Sequence, residues 1–208
     1  MAIKIGSGTL NNGGAAKLGS TDLKEIKFGT TTVWKKEVTV TDLINYKSWS
    51  SDSPNTYPSL NSTNETSSCS YNTGLCVYSA SPGVGYTADG RIYQTIKLTS
   101  GHKYYCAAGA AGYGGCTLVI TFCGGANGNK GSGGNYQGNY LWTASSTANQ
   151  TISFKATTNG GDTAYIRVWY ATVVDLTASF GSGNEPTLAW CNSNIGITFN
   201  GSKNVTPP

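Results

Sequence analysis

Apolar residues recur at every second position in several stretches of the chain, and at helical spacing in none. Arg91 to Leu98 places Ile92, Ile96 and Leu98 on one face and Tyr93, Thr95 and Lys97 on the other. Thr151 to Ala156 alternates through Ile152, Phe154 and Ala156, and Val38 to Ile44 opens the series with Val38, Val40 and Leu43. A period of two is the signature of a strand with one buried face. His102 to Ala108 and Thr117 to Cys123 are rich in β-prone residues. Ala164 to Val174 is a long apolar run with room for a bend or a break into two strands, and Gly160-Gly161-Asp162 supplies the turn before it. No stretch predicts a helix. About seven or eight short strands with long loops predict an all-β fold, an antiparallel β-sandwich of jelly-roll type, with a five-stranded barrel as the alternative.

Two stretches break the pattern. Tyr46 to Ser81 is filled with Ser, Asn, Thr and Pro around Trp49, Tyr57, Tyr71 and Tyr78, and reads as a long loop with about one or two short strands. Cys123 to Tyr140 is too Gly-rich for a regular element and reads as a surface loop.

The first 36 residues carry an internal repeat: Ile5-Gly-Ser-Gly-Thr-Leu10, Leu18-Gly-Ser-Thr-Asp-Leu23 and Phe28-Gly-Thr-Thr-Thr-Val33, closed by Trp34. Apolar residues on either side of a small Gly-containing turn predict successive short hairpins. A segment below about 40 residues does not hold a core alone, so it reads as a docking segment. Leu18, Leu23, Ile26, Phe28, Val33 and Trp34 are its candidate contact residues. The expected division is a docking segment over 1–36, a jelly-roll domain over 37–178, and a Gly/Pro turn with a C-terminal extension over 179–208. That extension is expected to pack back through Leu188, Trp190, Ile195, Ile197 and Phe199.

Composition agrees with short strands and polar turns: 28 glycines and 13 tyrosines against 12% charged residues. The net charge of +4 is thinly spread and gives nucleic acid no clustered patch. The N-terminus lacks the apolar core of a signal peptide, and no run is long enough to span a bilayer, so a soluble chain that is not conventionally exported and does not enter membranes is expected. With six cysteines, no Cys-x-x-Cys and His102 as the single histidine, no zinc site is expected. The cysteines read as small buried hydrophobes, with Cys69 and Cys76 as the pair to test first for a bridge.

Candidate chemistry is sparse. Glycoside hydrolysis needs two carboxylates held across a cleft, and nothing in the sequence pairs two of the ten acids. Glu185, before Pro186, reads as a turn residue. His102 reads as an edge-strand histidine, with no Gly-x-Ser-x-Gly nucleophile to serve. The glycines match neither dinucleotide nor phosphate-loop patterns. No catalytic residue, cofactor or metal is expected. Aromatic rings are the better lead, because they stack on sugar faces and bury area at interfaces. Trp49, Tyr57, Tyr113, Tyr136, Tyr140 and Trp142, read as loop or strand-end residues, are the candidate contacts for a glycan or a partner.

Two strings resemble a known group. Lys17-Leu-Gly-Ser-Thr-x-Leu-Lys-x-Ile-x-Phe-Gly-Thr-Thr-x-Val-Trp34 resembles the N-terminal segment of tailed-phage virion proteins from gut bacteria. Asp175-Leu-Thr-Ala-Ser-Phe-Gly-Ser-Gly-Asn-Glu-Pro-Thr187, followed by Trp190-Cys191, resembles a string that follows the last strand of a jelly roll similar to carbohydrate-binding modules in phage virion and tail-associated proteins. The resemblance implies a non-enzymatic virion component (head fibre, decoration or tail-surface module), made in the host bacterial cytoplasm, contacting capsid or tail proteins, homotrimeric, and open to adhesion on host-surface glycans. A free carbohydrate-binding or adhesin module is the alternative, and a capsule depolymerase a third. Sugar-binding jelly rolls of this kind often carry an Asp near a structural calcium in the last strand. Arg167 stands in the comparable stretch, which puts calcium in doubt.

Overall fold

The computed structural model describes residues 3–5, 8–10, 16–18, 21–44, 61–63, 66–72, 75–81, 87–113, 117–123, 128–130, 135–159 and 164–208. The strands are β1 (Ile3–Ile5), β2 (Gly8–Leu10), β3 (Ala16–Leu18), β4 (Thr21–Leu23), β5 (Glu25–Phe28), β6 (Thr31–Lys35), β7 (Val38–Thr41), β8 (Asn61–Thr63) and β9 (Thr66–Asn72). They continue with β10 (Leu75–Ser81), β11 (Thr87–Leu98), β12 (Lys103–Tyr113), β13 (Thr117–Thr121), β14 (Gly128–Lys130), β15 (Asn135–Thr143), β16 (Ala148–Asn159), β17 (Ala164–Asp175) and β18 (Ser202–Val205). Helices α1 (Leu176–Phe180) and α2 (Leu188–Asn194) lie between β17 and β18. No helix among the described residues is long and apolar enough to cross a membrane.

The protein is an all-β sandwich. One five-stranded sheet runs β15-β12-β17-β10-β9 and the other β14-β13-β16-β11-β8, every pairing antiparallel. Alternation sends Tyr104, Cys106, Ala108, Val168 and Val173 from the first sheet, and Leu118, Ile120, Ile152 and Phe154 from the second, into one shared core.

A third layer covers the other side of the first sheet. The β7–β18 ribbon, α1 and α2 bury Tyr105, Ala107, Tyr170 and Val174 against Val40, Leu176, Cys191, Ile195 and Val205. Strand β12 is therefore buried on both faces, which explains its run of Ala and Gly. Tyr170 lies so close over Gly109 that a Cβ there would sit 2.4 Å from its ring. Opposite this point β17 carries a bulge, for Gly109 faces Tyr170 while Ala110 faces Val168. That bulge is the bend expected in the long apolar run.

The structure corrects three expectations. Helices form where none is predicted: Asp175 caps α1 by accepting from Ala178 N at 2.8 Å, and Thr187 caps α2 by accepting from Trp190 N at 3.3 Å. The stretch read as a long loop with one or two short strands contains three, β8, β9 and β10, and the Gly-rich stretch contains β14 and the start of β15. In the C-terminal extension Ile195 is buried and Leu188, Trp190 and Phe199 pack partly buried, but Ile197 is 37% exposed.

The register also bears on the cysteines. Cys69 faces Tyr78 and Cys76 faces Tyr71. The two are two residues out of step, whereas a bridge between neighbouring strands needs Cα atoms within about 7 Å.

Candidate functional site

The N-terminal repeat folds as three hairpins of one plan. Ile5 faces Gly8, Leu18 faces Thr21 and Phe28 faces Thr31, so each apolar-Gly-small unit lies across an antiparallel pair, and in the third the strands are joined by a turn at residues 29–30. In the third, Gly29 has φ 62°, a conformation open to glycine and costly for other residues. The register shifts between Ile26 and Lys27, which leaves Val33 as the extra residue of β6. Lys27 pairs with Glu25 at 3.0 Å, and Lys36 N donates to Lys24 O at 2.9 Å, closing the base of the hairpin.

The candidate docking residues divide. Trp34 is 5% exposed and anchors the hairpin inward; Leu23 and Ile26 are half-buried. The side chains of Leu18 and Val33 lie outside the described part of the structure. Phe28, beside the turn, is 84% exposed, the most exposed large apolar side chain among the described residues.

A groove of about 630 Å³ separates this hairpin from the Gly/Pro turn, so the two strings that carry the resemblance face each other across it. Lys24, Lys35 and Lys36 line one wall; Phe180, Asn184 and Glu185 line the other, and Pro207 and Pro208 lie along it. Lys24 Nζ reaches Asn184 Oδ1 at 3.4 Å. Glu185 is a structural acid here: it accepts from Thr177 Oγ1 at 2.7 Å and from Gly183 N at 2.9 Å. The Thr177 hydroxyl, above all, holds its carboxyl below the usual range. Thr177 in turn accepts from Lys103 N at 2.9 Å, tying the turn to β12.

The candidate aromatic residues are mostly committed elsewhere. Tyr136, Tyr140 and Trp142 lie within β15, not in loops or at strand ends, and their rings pack partly buried against the sandwich core. Tyr140 donates its hydroxyl to Cys123 O, and burial pushes its pKa far up. Trp142 stacks on Tyr104 at 5.9 Å. Tyr113 ends β12, half-buried. Trp49 and Tyr57 lie outside the described residues.

Sequence reasoning missed two polar contacts. His102 Nδ1 lies 2.8 Å from Asp175 Oδ2, at the start of a strand between β15 and β17, so it is not an edge-strand residue. Asp175 thereby joins β12 to α1. Asp42 is 8% exposed and uses Oδ1 to accept from Ile44 N at 3.0 Å and Val173 N at 2.9 Å, while Oδ2 is buried without a partner. The Asp-x-Ile spacing of an Asx-type turn was the available signal for the first contact; nothing local signals the second.

No family model matches the chain, and no curated protein matches its sequence. Among solved structures it is similar to the enzymatically active domain of tailspike protein 4 of bacteriophage CBA120, at 12% identity and TM-score 0.40, covering 64% of this chain and 21% of that one. The chain thus spans about a fifth of that structure's length. It is also similar to a family 29 carbohydrate-binding module, at 15% identity and TM-score 0.31, over 74% of this chain and 95% of that one. TmCBM61 in complex with β-1,4-galactotriose is similar at 13% identity and TM-score 0.27, over 53% and 87%. At these TM-scores the likenesses carry no argument about ligand or activity.

Proposed function

We propose that the chain is a non-enzymatic structural component of a tailed-phage virion, a head fibre, decoration or tail-surface module assembled in the host cytoplasm. Its N-terminal hairpins dock on capsid or tail proteins and its sandwich is displayed, with a homotrimer as the working stoichiometry. The exposure of Phe28 at a hairpin turn carries this reading. A ring exposed at a turn is free to enter a partner's pocket, where an aromatic anchor can contribute most, and it adds little to the isolated fold. The engaged state of the acids supports it too: Glu185, Asp175 and Glu25 each hold a cap, a turn or an ion pair.

Phe28→Ala is expected to leave thermal unfolding within about 0.5 kcal/mol of wild type and to weaken incorporation into particles by about 30-fold, the loss of a hot spot near 2 kcal/mol. Incorporation is read by mass spectrometry of purified particles. A particle reconstruction with residues 1–36 in solvent, away from any partner, would overturn the docking.

Glycan adhesion is the second reading, and the outer face of the second sheet is our candidate surface for it in place of β15. Tyr93 and Thr121 both face the buried Ser153, and the exposed Thr95 faces Thr151, so alternation puts the Tyr93 ring and the Thr95, Thr121 and Thr151 hydroxyls on the outer face of the second sheet, opposite the covered one. On a glycan array, binding by this face would fall at least tenfold in Tyr93→Ala and stay unchanged in Trp142→Phe. The reverse order would return the contact to β15.

A further inference from the structure

Cys106 and Cys123 come from opposite sheets of the sandwich. Cys106 lies within β12, and Cys123 follows β13. Both are fully buried in the same core. A third group fixes the arrangement: Tyr140 is the cross-strand partner of Cys106, and its hydroxyl donates to the carbonyl of Cys123. The backbone of Cys123 is thus tied to the first sheet at the residue that faces Cys106. Cys191, also free, sits in the other core, on the far side of β12.

We infer that Cys106 and Cys123 are a latent disulfide, kept as thiols in a reducing compartment and closed by a peroxide-class oxidant in an oxidising one, so that one covalent bond spans the two sheets. In the first step one thiolate attacks a peroxide oxygen. The O–O bond breaks, hydroxide leaves and takes up the thiol proton as water, and a sulfenic acid forms. In the second, the other sulfur attacks the sulfenic sulfur, the S–O bond breaks and a second water leaves. Two thiols and one hydrogen peroxide give one disulfide and two waters. Burial pushes the Cys106 thiol well up, with the adjoining Cys123 thiol acting in the same direction. Attack therefore waits on local opening and is slow.

The bond would close a loop of about 18 residues and restrict the unfolded chain accordingly. The pair reads as a late lock: harmless during folding, and stabilising once the protein leaves the cytoplasm.

The test uses the full-length protein, purified reduced and incubated with hydrogen peroxide over a time course. The intact mass should fall by about 2 Da, a non-reducing digest should yield a peptide joining Cys106 to Cys123, and Tm should rise by about 5–10 °C. Dithiothreitol should reverse all three. Cys191→Ser should behave as wild type, whereas Cys123→Ala and Cys106→Ala, as alternative removals of the pair, should show neither joined peptide nor Tm rise. The inference is overturned if both cysteines alkylate fully after oxidation and denaturation, if they end as sulfinic acids, or if either bridges to Cys69, Cys76, Cys116 or Cys191.

Discussion

Wild-type protein is expected to lose stability between about pH 4 and pH 7, and exchanging Asp42 for asparagine is expected to abolish that fall. Burial, the dominant influence on this carboxyl, pushes its pKa to about 7 from an ordinary 3.8, against the opposing hydrogen bonds from Val173 and Ile44. An acid raised in this way keeps its proton in the fold at pH values where the unfolded chain has already released it. The folded state then binds more protons than the unfolded one, and stability falls as pH rises through the window. The full span is up to about 4 kcal/mol, which for a chain of this size lowers Tm by on the order of 10 °C.

Asparagine retains an acceptor for both backbone N–H groups and has no charge to desolvate. Its thermal unfolding midpoint should stay flat from pH 4 to pH 8 and exceed that of wild type at pH 8. Glu25 and Glu185 are lowered by their partners and act in the opposite sense, at more acid pH, in both proteins. Parallel Tm profiles for wild type and Asp42→Asn would sink the account. Asp42→Ala separates charge from bonding, since it strands the N–H of Val173 and of Ile44 and should lower stability at every pH by about 2–5 kcal/mol.

Asp42 also shows where sequence reasoning stops. Its partner Val173 is 131 residues away, and no local pattern announces such a pairing. The strands that alternate, β11 and β16 above all, were legible because one face meets the core and the other meets water. Strands β8 and β9 were not individually legible, because their Ser, Thr and Asn residues give no apolar period. Strand β12 runs beyond the expected Ala108 to Tyr113 because a strand covered on both sides selects small residues instead of alternating ones.

The helices were hidden for a different reason. At five and seven residues they are too short for a helical period, and their caps, Asp175 and Thr187, read equally well as turn residues. The candidate contact rings show a related gap. Residue type marks Tyr136, Tyr140 and Trp142 as interfacial, but only the register of β15 on β12 sends them inward. The hairpin repeat was the most legible feature of the candidate site, since its turn chemistry is local. That Trp34 faces the protein and Phe28 faces water depends on how the hairpin seats, which its own residues do not encode.

The third layer yields the other large effect. Deleting residues 195–208 is expected to leave a chain that does not fold to a soluble monodisperse protein. The deletion removes β18, the antiparallel partner of β7 from Val38↔Val205 to Thr41↔Ser202, and uncovers Val40, which is fully buried. It removes Ile195 and Val205, each contributing about 1.5–3 kcal/mol by burial. It also strips the carbonyls of Ile197 and Phe199 from the Thr172 hydroxyl, which donates to them at 3.1 and 2.8 Å, and leaves that buried group without a protein acceptor. Together with the lost ladder bonds the deficit is roughly 5–10 kcal/mol, comparable to the whole stability of a domain. Deleting only Thr206, Pro207 and Pro208 opens the groove without touching either core, and that shorter deletion should fold and melt as wild type. Circular dichroism and gel filtration of the two truncations decide the matter. If the longer one elutes as a compact species and unfolds cooperatively at the wild-type temperature, the segment that follows the Gly/Pro turn is an appendage, and the first sheet does not need its outer cover.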